Sequence, residues 1–298
     1  MQFSFWPTPS QSFADVLSLA RHVEATGWDG IWYADHFMPN APDTGVPWPE
    51  AWVTLSALGA LVPRLRLGTL VVGNTYRHPA VLAKMAATLD HITGGRVILG
   101  LGSGWQENEH RQYGIPFHTV GERLARLDEA CAVIRALFTQ QRASFAGRFY
   151  QLDNATLEPK PVQQPLPLLI GGGGEQVTLR ITARHADAWN VWGTPDILQH
   201  KMAILDRHCA ELGRDPRSIR RTAVALLFMS DDPAYLERMR AARITQPHLI
   251  GTVDEIRAQV EAYAAIGVDE LIVPDFTLGP MPTKLATLDR FIHEVAQR

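Results

Sequence analysis

The chain has 298 residues, of which 46% are hydrophobic and 20% charged, and its formal net charge at pH 7 is −3. This composition is ordinary for a globular protein with a large core, and the lack of a basic run argues against nucleic acid as a partner. The first residues do not resemble a signal peptide, and no stretch of about 18 apolar residues predicts a membrane span. We therefore expect a cytoplasmic protein, with no membrane association, whose Cys131 and Cys209 stay reduced.

Short apolar runs alternate with amphipathic stretches along the chain, and together they predict eight strand–helix units. The predicted strands are residues 2–5, 30–33, 65–72, 96–101, 168–170, 188–191, 221–228 and 270–273. The main predicted helices are residues 13–26, 49–61, 79–92, 120–139, 176–185, 195–212, 252–265 and 283–296, with a short one at 107–113.

Alternating strands and helices predict an α/β protein with a parallel sheet. At this length a closed (β/α)8 TIM barrel is favoured over an open doubly wound sheet. We expect one barrel domain over residues 1–298, with insertions near 142–167 and 230–250. The first insertion contains a hairpin pattern around Gly147.

Catalytic residues in such barrels follow the carboxyl ends of the strands. Asp35 and His36 follow the second predicted strand. A histidine there can donate or accept a proton near neutral pH, and Asp35 can orient it or favour its charged form. An ordinary surface loop remains the alternative for this pair.

Glycine and tryptophan are frequent in the other loops at this end of the barrel. Gly102, Gly104 and Trp105 follow the fourth predicted strand, where glycines would let a flat ring or a phosphate approach the backbone. The spacing is not that of a dinucleotide fingerprint. Together with Trp6 and Trp192, Trp105 indicates an aromatic substrate pocket.

Four consecutive glycines separate the fifth predicted strand from its helix: Gly171, Gly172, Gly173 and Gly174. Backbone N–H groups at a helix start can bind an anion, so we interpret the run as a phosphate cradle, with a flexible linker as the alternative. No Lys-Ser or Lys-Thr pair follows, which excludes a nucleotide-triphosphate loop. The sequence also lacks metal-site spacings and a serine-hydrolase elbow, so neither a metal nor a serine nucleophile is expected.

Several long motifs in the same order resemble the luciferase-like monooxygenase superfamily, most closely its branch that uses the 5-deazaflavin coenzyme F-420. The resemblance extends over essentially the whole chain. The motifs are residues 67–80, 86–96, 99–105 continuing through 113–117, 167–174, and 251–255 with 267–271.

The resemblance implies a hydride-transferring oxidoreductase with F-420 as its cofactor and a small-molecule substrate. The ring would rest on a bulge at residues 69–72, often held by a non-prolyl cis peptide, which we expect at Leu70–Val71. Asp35 and His36 would lie at the reactive face, with His36 as the proton donor or acceptor. The expected cofactor contacts are Thr69, Leu70, Val71, Asn74, Gly102, Gly104, Asn108 and the four glycines Gly171, Gly172, Gly173 and Gly174.

The chain departs from this branch at two positions. Trp105 stands where its sugar-phosphate and alcohol dehydrogenases carry glutamate, and Asn40 replaces a tryptophan, which argues against oxidation of such substrates. An FMN-dependent monooxygenase of the same superfamily is the main alternative, and a non-catalytic binding barrel is a distant one. The family resemblance also implies a homodimer.

Overall fold

A computed structural model describes residues 1–297. The described chain contains twelve strands. They are β1 (Gln2–Trp6), β2 (Gly30–Asp35), β3 (Arg66–Gly73), β4 (Val97–Gly102), β5 (Ala143–Ala146), β6 (Gln151–Ala155), β7 (Leu168–Gly171), β8 (Ala188–Trp192), β9 (Arg220–Val224), β10 (Leu226–Met229), β11 (His248–Gly251) and β12 (Glu270–Pro274).

Ten α-helices lie between the strands or after them in residues 1–297. They are α1 (Phe13–Ala25), α2 (Ala51–Leu61), α3 (Pro79–Thr93), α4 (Glu107–Tyr113), α5 (Val120–Thr139), α6 (Thr178–His185), α7 (Pro195–Glu211), α8 (Pro233–Ala241), α9 (Val253–Ala265) and α10 (Met281–Arg290). A 3-10 turn at Pro216–Ser218 and a π-helical turn at Phe291–Val295 complete the helical elements.

Eight strands close into a parallel barrel in the order β1-β12-β9-β8-β7-β4-β3-β2. The (β/α)8 barrel is therefore as predicted. Large side chains that alternate along the strands fill the space between barrel and helices, as Phe5, Tyr33 and Trp189 do. Cys131 and Cys209 are buried and unpaired, as expected for core residues.

Local sequence signals start the helices. The Ser12 side chain accepts a hydrogen bond from the Asp15 N–H and caps α1, and Thr252 forms a reciprocal capping box with Glu255 at α9. Both caps satisfy N–H groups that have no partner inside the helix. Within residues 1–297, none of the helices is long and apolar enough to cross a membrane.

The first predicted insertion contains the expected hairpin: β5 and β6 pair antiparallel across Gly147. The second region holds α8 and β11. The prediction of one strand over 221–228 was wrong, because the chain leaves the barrel at Ala225. β9 stays in the barrel, whereas β10 pairs in parallel with β11 outside it. Ala225 and its neighbours on both sides are buried, so the apolar sequence continues through the break and gives no sign that the strand ends there.

Candidate active site

A cavity of about 470 Å³ opens where the barrel strands end. Its wall combines residues from both halves of the barrel, in the position where barrels of this class hold their active sites. The lining residues are Trp6, His36, Leu70, Val71, Val72, Gly73, Tyr76, Gly102, Ser103, Gly104, Trp105, Gly171, Gly172, Asn190, Val191 and Trp192.

One side of the cavity is a wall formed by β3, β4 and β7. The β3–β4 register shifts between Gly68 and Val72, and the Leu70–Val71 peptide is cis, which confirms the bulge and the cis peptide predicted there. Val71 leans over the neighbouring strands. A Cβ atom at Gly102 would lie 2.7 Å from Val71 Cγ2, and one at Gly171 would lie 2.9 Å from Val71 Cγ1. Glycine at both positions therefore permits the close packing of this wall.

His36 is held by a carboxylate that the sequence analysis did not single out. Its Nδ1 lies 2.8 Å from Oε1 of Glu109, which is fully buried on α4. Glu109 Oε2 accepts a hydrogen bond from the Phe37 N–H at 2.8 Å, and the Tyr76 hydroxyl donates to Oε1. Because Nδ1 is occupied and His36 lines the cavity, Nε2 is the ring nitrogen available to a bound molecule.

Burial and the Glu109 carboxylate raise the pKa of Tyr76 above its ordinary value. The phenol therefore stays protonated at neutral pH and remains a donor to Glu109. Glu109 on α4 and Tyr76 in the loop after β3 follow different strands, so no sequence spacing connects them to each other or to His36.

Asp35 does not orient His36 by a hydrogen bond, in contrast to one of the roles predicted for it. Its two oxygens accept from the Arg77 guanidinium at 2.6 and 3.1 Å, and Arg77 also reaches Glu50 at 2.6 Å. Burial lowers the pKa of Arg77, but the two carboxylates outweigh burial and leave that pKa above its usual value. Asp35 thus belongs to a buried ion pair behind the cavity.

The three tryptophans predicted for a substrate pocket all line the cavity. The rings of Trp6 and Trp192 lie 6.0 Å apart between centroids, and Phe276 packs edge-on against Trp6 at 5.2 Å. Trp105 packs edge-on against His36 at 5.4 Å while 60% of its surface stays exposed. Trp105 therefore contacts the histidine of the lining, while Trp6 and Trp192 form a second aromatic group in the same cavity.

Gly171 and Gly172, the first two residues of the glycine run, line the cavity, whereas Gly173 and Gly174 lie outside the lining. Gly172 has a φ of +133° and donates its N–H to the Asn190 carbonyl. The N–H groups of residues 173–178 donate to no acceptor within residues 1–297. Helix α6 begins at Thr178, after a turn at 175–177, and so starts two residues later than the predicted 176. Lys201 on α7 donates to the Gly173 carbonyl at 2.8 Å, so a cation lies beside these free donors.

Five predicted cofactor contacts lie outside the set of lining residues. Two are Gly173 and Gly174, which continue the glycine run, and the others are Thr69, Asn74 and Asn108. The Thr69 hydroxyl donates to the Gly100 carbonyl at 2.9 Å, and Asn108 Nδ2 donates to the Pro39 carbonyl at 2.9 Å. Asn74 Nδ2 bonds the Tyr150 hydroxyl at 3.2 Å, while its buried Oδ1 has no partner up to Gln297. Their assignment as cofactor ligands stays a prediction. The cavity also brings in Ser103 and Asn190, which were not predicted.

Residues 1–297 contain no cluster of three or more histidine, cysteine, aspartate or glutamate side chains that could hold an ion.

Comparison with known proteins identifies relatives at the level of sequence and of fold. The "F420-dependent glucose-6-phosphate dehydrogenase" of Amycolatopsis mediterranei (strain U-32) is 38% identical over 165 residues, 55% of this chain and 49% of that protein. The protein of the same name from Kineococcus radiotolerans (strain ATCC BAA-149 / DSM 14245 / SRS30216) is 35% identical over 223 residues, 74% of this chain and 65% of that protein. The aligned region thus spans about half to two thirds of these relatives.

The coenzyme F420 dependent tetrahydromethanopterin reductase from Methanopyrus kandleri superposes with a TM-score of 0.82 at 18% identity, over 99% of this chain and 98% of that one. This likeness concerns the fold. A family model described as "Luciferase-like monooxygenase" matches residues 1–248. The chain therefore belongs to the luciferase-like monooxygenase family, as its motifs predicted.

Proposed function

We propose that this protein is an oxidoreductase that transfers hydride between the deazaflavin coenzyme F-420 and a small organic substrate. The observation that carries the proposal is the continuity of the site. The cavity wall of glycines and Val71 is followed along the chain by Gly173 and Gly174. Their N–H groups have no partner within residues 1–297 and lie beside Lys201. The relatives named as F420-dependent enzymes support the same cofactor.

The residues present fit a flat ring with a phosphate-bearing tail. The close packing of Gly102 and Gly171 against Val71 leaves a wall without projecting side chains on β4 and β7. At the end of this wall, the unpaired N–H groups of residues 173–178 and the start of α6 carry partial positive charge. A Cβ at Gly173 would approach Val191 Cγ2 to 3.0 Å, and one at Gly174 would approach Thr178 Oγ1 to 2.8 Å. Side chains there would crowd the cradle.

A bound deazaflavin supplies a carbon that gives or takes hydride, with little one-electron chemistry. The protein supplies orientation and proton management. Glu109 accepts from the Tyr76 hydroxyl and the Phe37 N–H, and these bonds hold its carboxylate against His36 Nδ1. With the Nδ1 proton directed at Glu109, neutral His36 accepts a proton at Nε2, and charged His36 donates one from the same atom. Trp6, Trp105 and Trp192 reduce the access of water to this exchange.

Equilibrium binding tests the cofactor assignment directly. We expect purified protein, freed of bound cofactor, to bind F-420 more tightly than FMN when each is titrated under the same conditions. Tighter binding of FMN would overturn the choice of cofactor. From the family resemblance we also propose a homodimer, which sedimentation of the loaded protein would reveal, and a cytoplasmic location.

A further inference from the structure

We propose that the substrate of this site is an uncharged, mainly apolar molecule that offers a single oxygen to His36, and not a sugar phosphate or a carboxylate. This inference rests on the proposed function, because it assigns the β3–β4–β7 wall to the cofactor ring. The proposal concerns the part of the cavity that the cofactor ring would not occupy. By analogy with the names of the relatives, a phosphorylated sugar would be the substrate there.

The charge of the cavity wall is the first argument. Among the described residues that line it, none is a lysine, arginine, aspartate or glutamate. Arg77 is occupied by Asp35 and Glu50, and Lys201 is bound to the Gly173 carbonyl and to Glu175. A phosphate or carboxylate in the cavity would therefore lose its hydration without gaining a lysine or arginine partner, which is costly.

The position of the aromatic rings is the second argument. Trp6 ends β1 and Trp192 ends β8, and these strands bound the β1-β12-β9-β8 arc of the barrel. The glycine wall lies in the opposite arc, on β7, β4 and β3. With the cofactor ring resting on the glycine wall, a substrate between the two arcs would lie between that ring and the indole rings of Trp6 and Trp192. Indole faces bind apolar and planar groups well and discriminate poorly in favour of hydroxyl-rich ones.

The surroundings of His36 are the third argument. Its ring is covered on the edge by Trp105, whose exposed surface extends the apolar lining to the mouth of the cavity. The phenol of Tyr76 is bound to Glu109, and His36 Nε2 and the Ser103 hydroxyl keep free hydrogen-bonding capacity. Elsewhere in the lining, Asn190 Oδ1 and the indole N–H groups of Trp6 and Trp192 have no partner within residues 1–297. These polar atoms are few and are distributed over both arcs of the barrel, so His36 can bind one substrate oxygen while most hydroxyls of a sugar would lack partners.

Two probes of similar size test the effect of charge: 4-phenylbutan-2-one, which is neutral, and 4-phenylbutyrate, which is anionic. Their dissociation constants would be measured by calorimetry on F-420-loaded protein, with glucose 6-phosphate as a third ligand. We expect the ketone to bind at least about tenfold more tightly than either anion, a ratio that corresponds to roughly 1.4 kcal/mol. Equal or tighter binding of an anion would overturn the proposal, and so would undetectable binding of the ketone at its solubility limit.

Two variants test the part played by the indole ring. Trp192→Ala should weaken ketone binding about tenfold, because an apolar contact surface is lost, while F-420 affinity changes little. Trp192→Arg should reverse the preference toward 4-phenylbutyrate by supplying the missing cation. Phe13→Ala, which removes an exposed aromatic ring outside the cavity lining, is the matched control and should leave both constants unchanged.

The binding data separate a failure of the proposed function from a failure of the substrate class. If wild-type protein does not bind F-420, the proposed function fails. If F-420 binds and the anionic probe is preferred, only the substrate class is wrong. An unchanged ketone affinity in folded Trp192→Ala protein would also contradict the substrate assignment.

Discussion

Glu109 Oε1 and His36 Nδ1 lie 2.8 Å apart, so a fully buried carboxylate on α4 fixes the histidine that follows β2. The same carboxylate accepts from the Phe37 N–H, which ties the loop backbone and the imidazole to one group. A residue that orients a proton-transfer group in this way acts on the rate without contacting the substrate.

Glu109→Gln should therefore lower the rate of hydride transfer by about 10- to 1,000-fold, because the amide no longer enforces one tautomer of His36. The dissociation constant of F-420 should change little. Single-turnover kinetics with cofactor binding measured in parallel would check this split. Glu107→Gln removes an exposed carboxylate from the same helix and is the control, with wild-type kinetics expected. A wild-type rate in Glu109→Gln would remove the positioning role.

His36→Ala should reduce the same step by roughly 100- to 10,000-fold, the usual contribution of a general acid or base. The affinity for F-420 should remain close to that of wild type, since the ring is expected to rest on the glycine wall. Stopped-flow absorbance at the cofactor band gives the rate, and titration gives the affinity. A large loss of affinity with an unchanged rate would show that His36 is a binding group and not a proton donor or acceptor.

Gly173→Asp should weaken F-420 binding by at least about tenfold, because it places a side chain and a negative charge beside the free N–H groups. The new Cβ would lie 3.0 Å from Val191 Cγ2 and 3.2 Å from Lys201 Cε, so the loop would also have to shift. Gly121→Asp is the control: a Cβ there meets nothing within 4 Å. Unchanged affinity in folded Gly173→Asp would contradict the phosphate-cradle assignment.

Tyr76 should remain a phenol well above pH 10, because burial and Glu109 raise its pKa. A pKa that is higher in the folded than in the unfolded state contributes stability below the unfolded value of about 10, and this contribution disappears as pH rises through the folded value. Absorbance titration of the tyrosines tests this: Tyr76→Phe should lose only signal that appears above the ordinary range. Loss of signal near pH 10 would mean that Tyr76 ionises normally.

The sequence predicted the barrel and the loops of the site because both depend on local patterns. Apolar periodicity marked the strands, and unusual glycine runs such as Gly171 to Gly174 marked close backbone approach. The cis peptide at Leu70–Val71 followed from family resemblance alone. Contacts between residues that follow different strands were not predictable: nothing in the spacing of Glu109, Tyr76 and His36 indicates that they meet. The proximity of Asp35 and His36 in sequence suggested the wrong partner, since Arg77 binds Asp35.

Reactivity with oxygen separates F-420 from FMN, the cofactor of the alternative function. A deazaflavin has carbon in place of the flavin nitrogen that supports one-electron chemistry, so its reduced form should persist when air is admitted. Reduced FMN would instead be consumed quickly. The measurement is anaerobic reduction of the loaded protein followed by mixing with air-saturated buffer while absorbance is recorded. The His36→Ala variant should be measured in parallel. If resistance to oxygen is a property of the cofactor, reoxidation should stay slow in this variant, which lacks the proton-transfer group. Rapid reoxidation with peroxide release in both proteins would identify a flavin enzyme and leave the barrel, the cavity and the glycine loop as described.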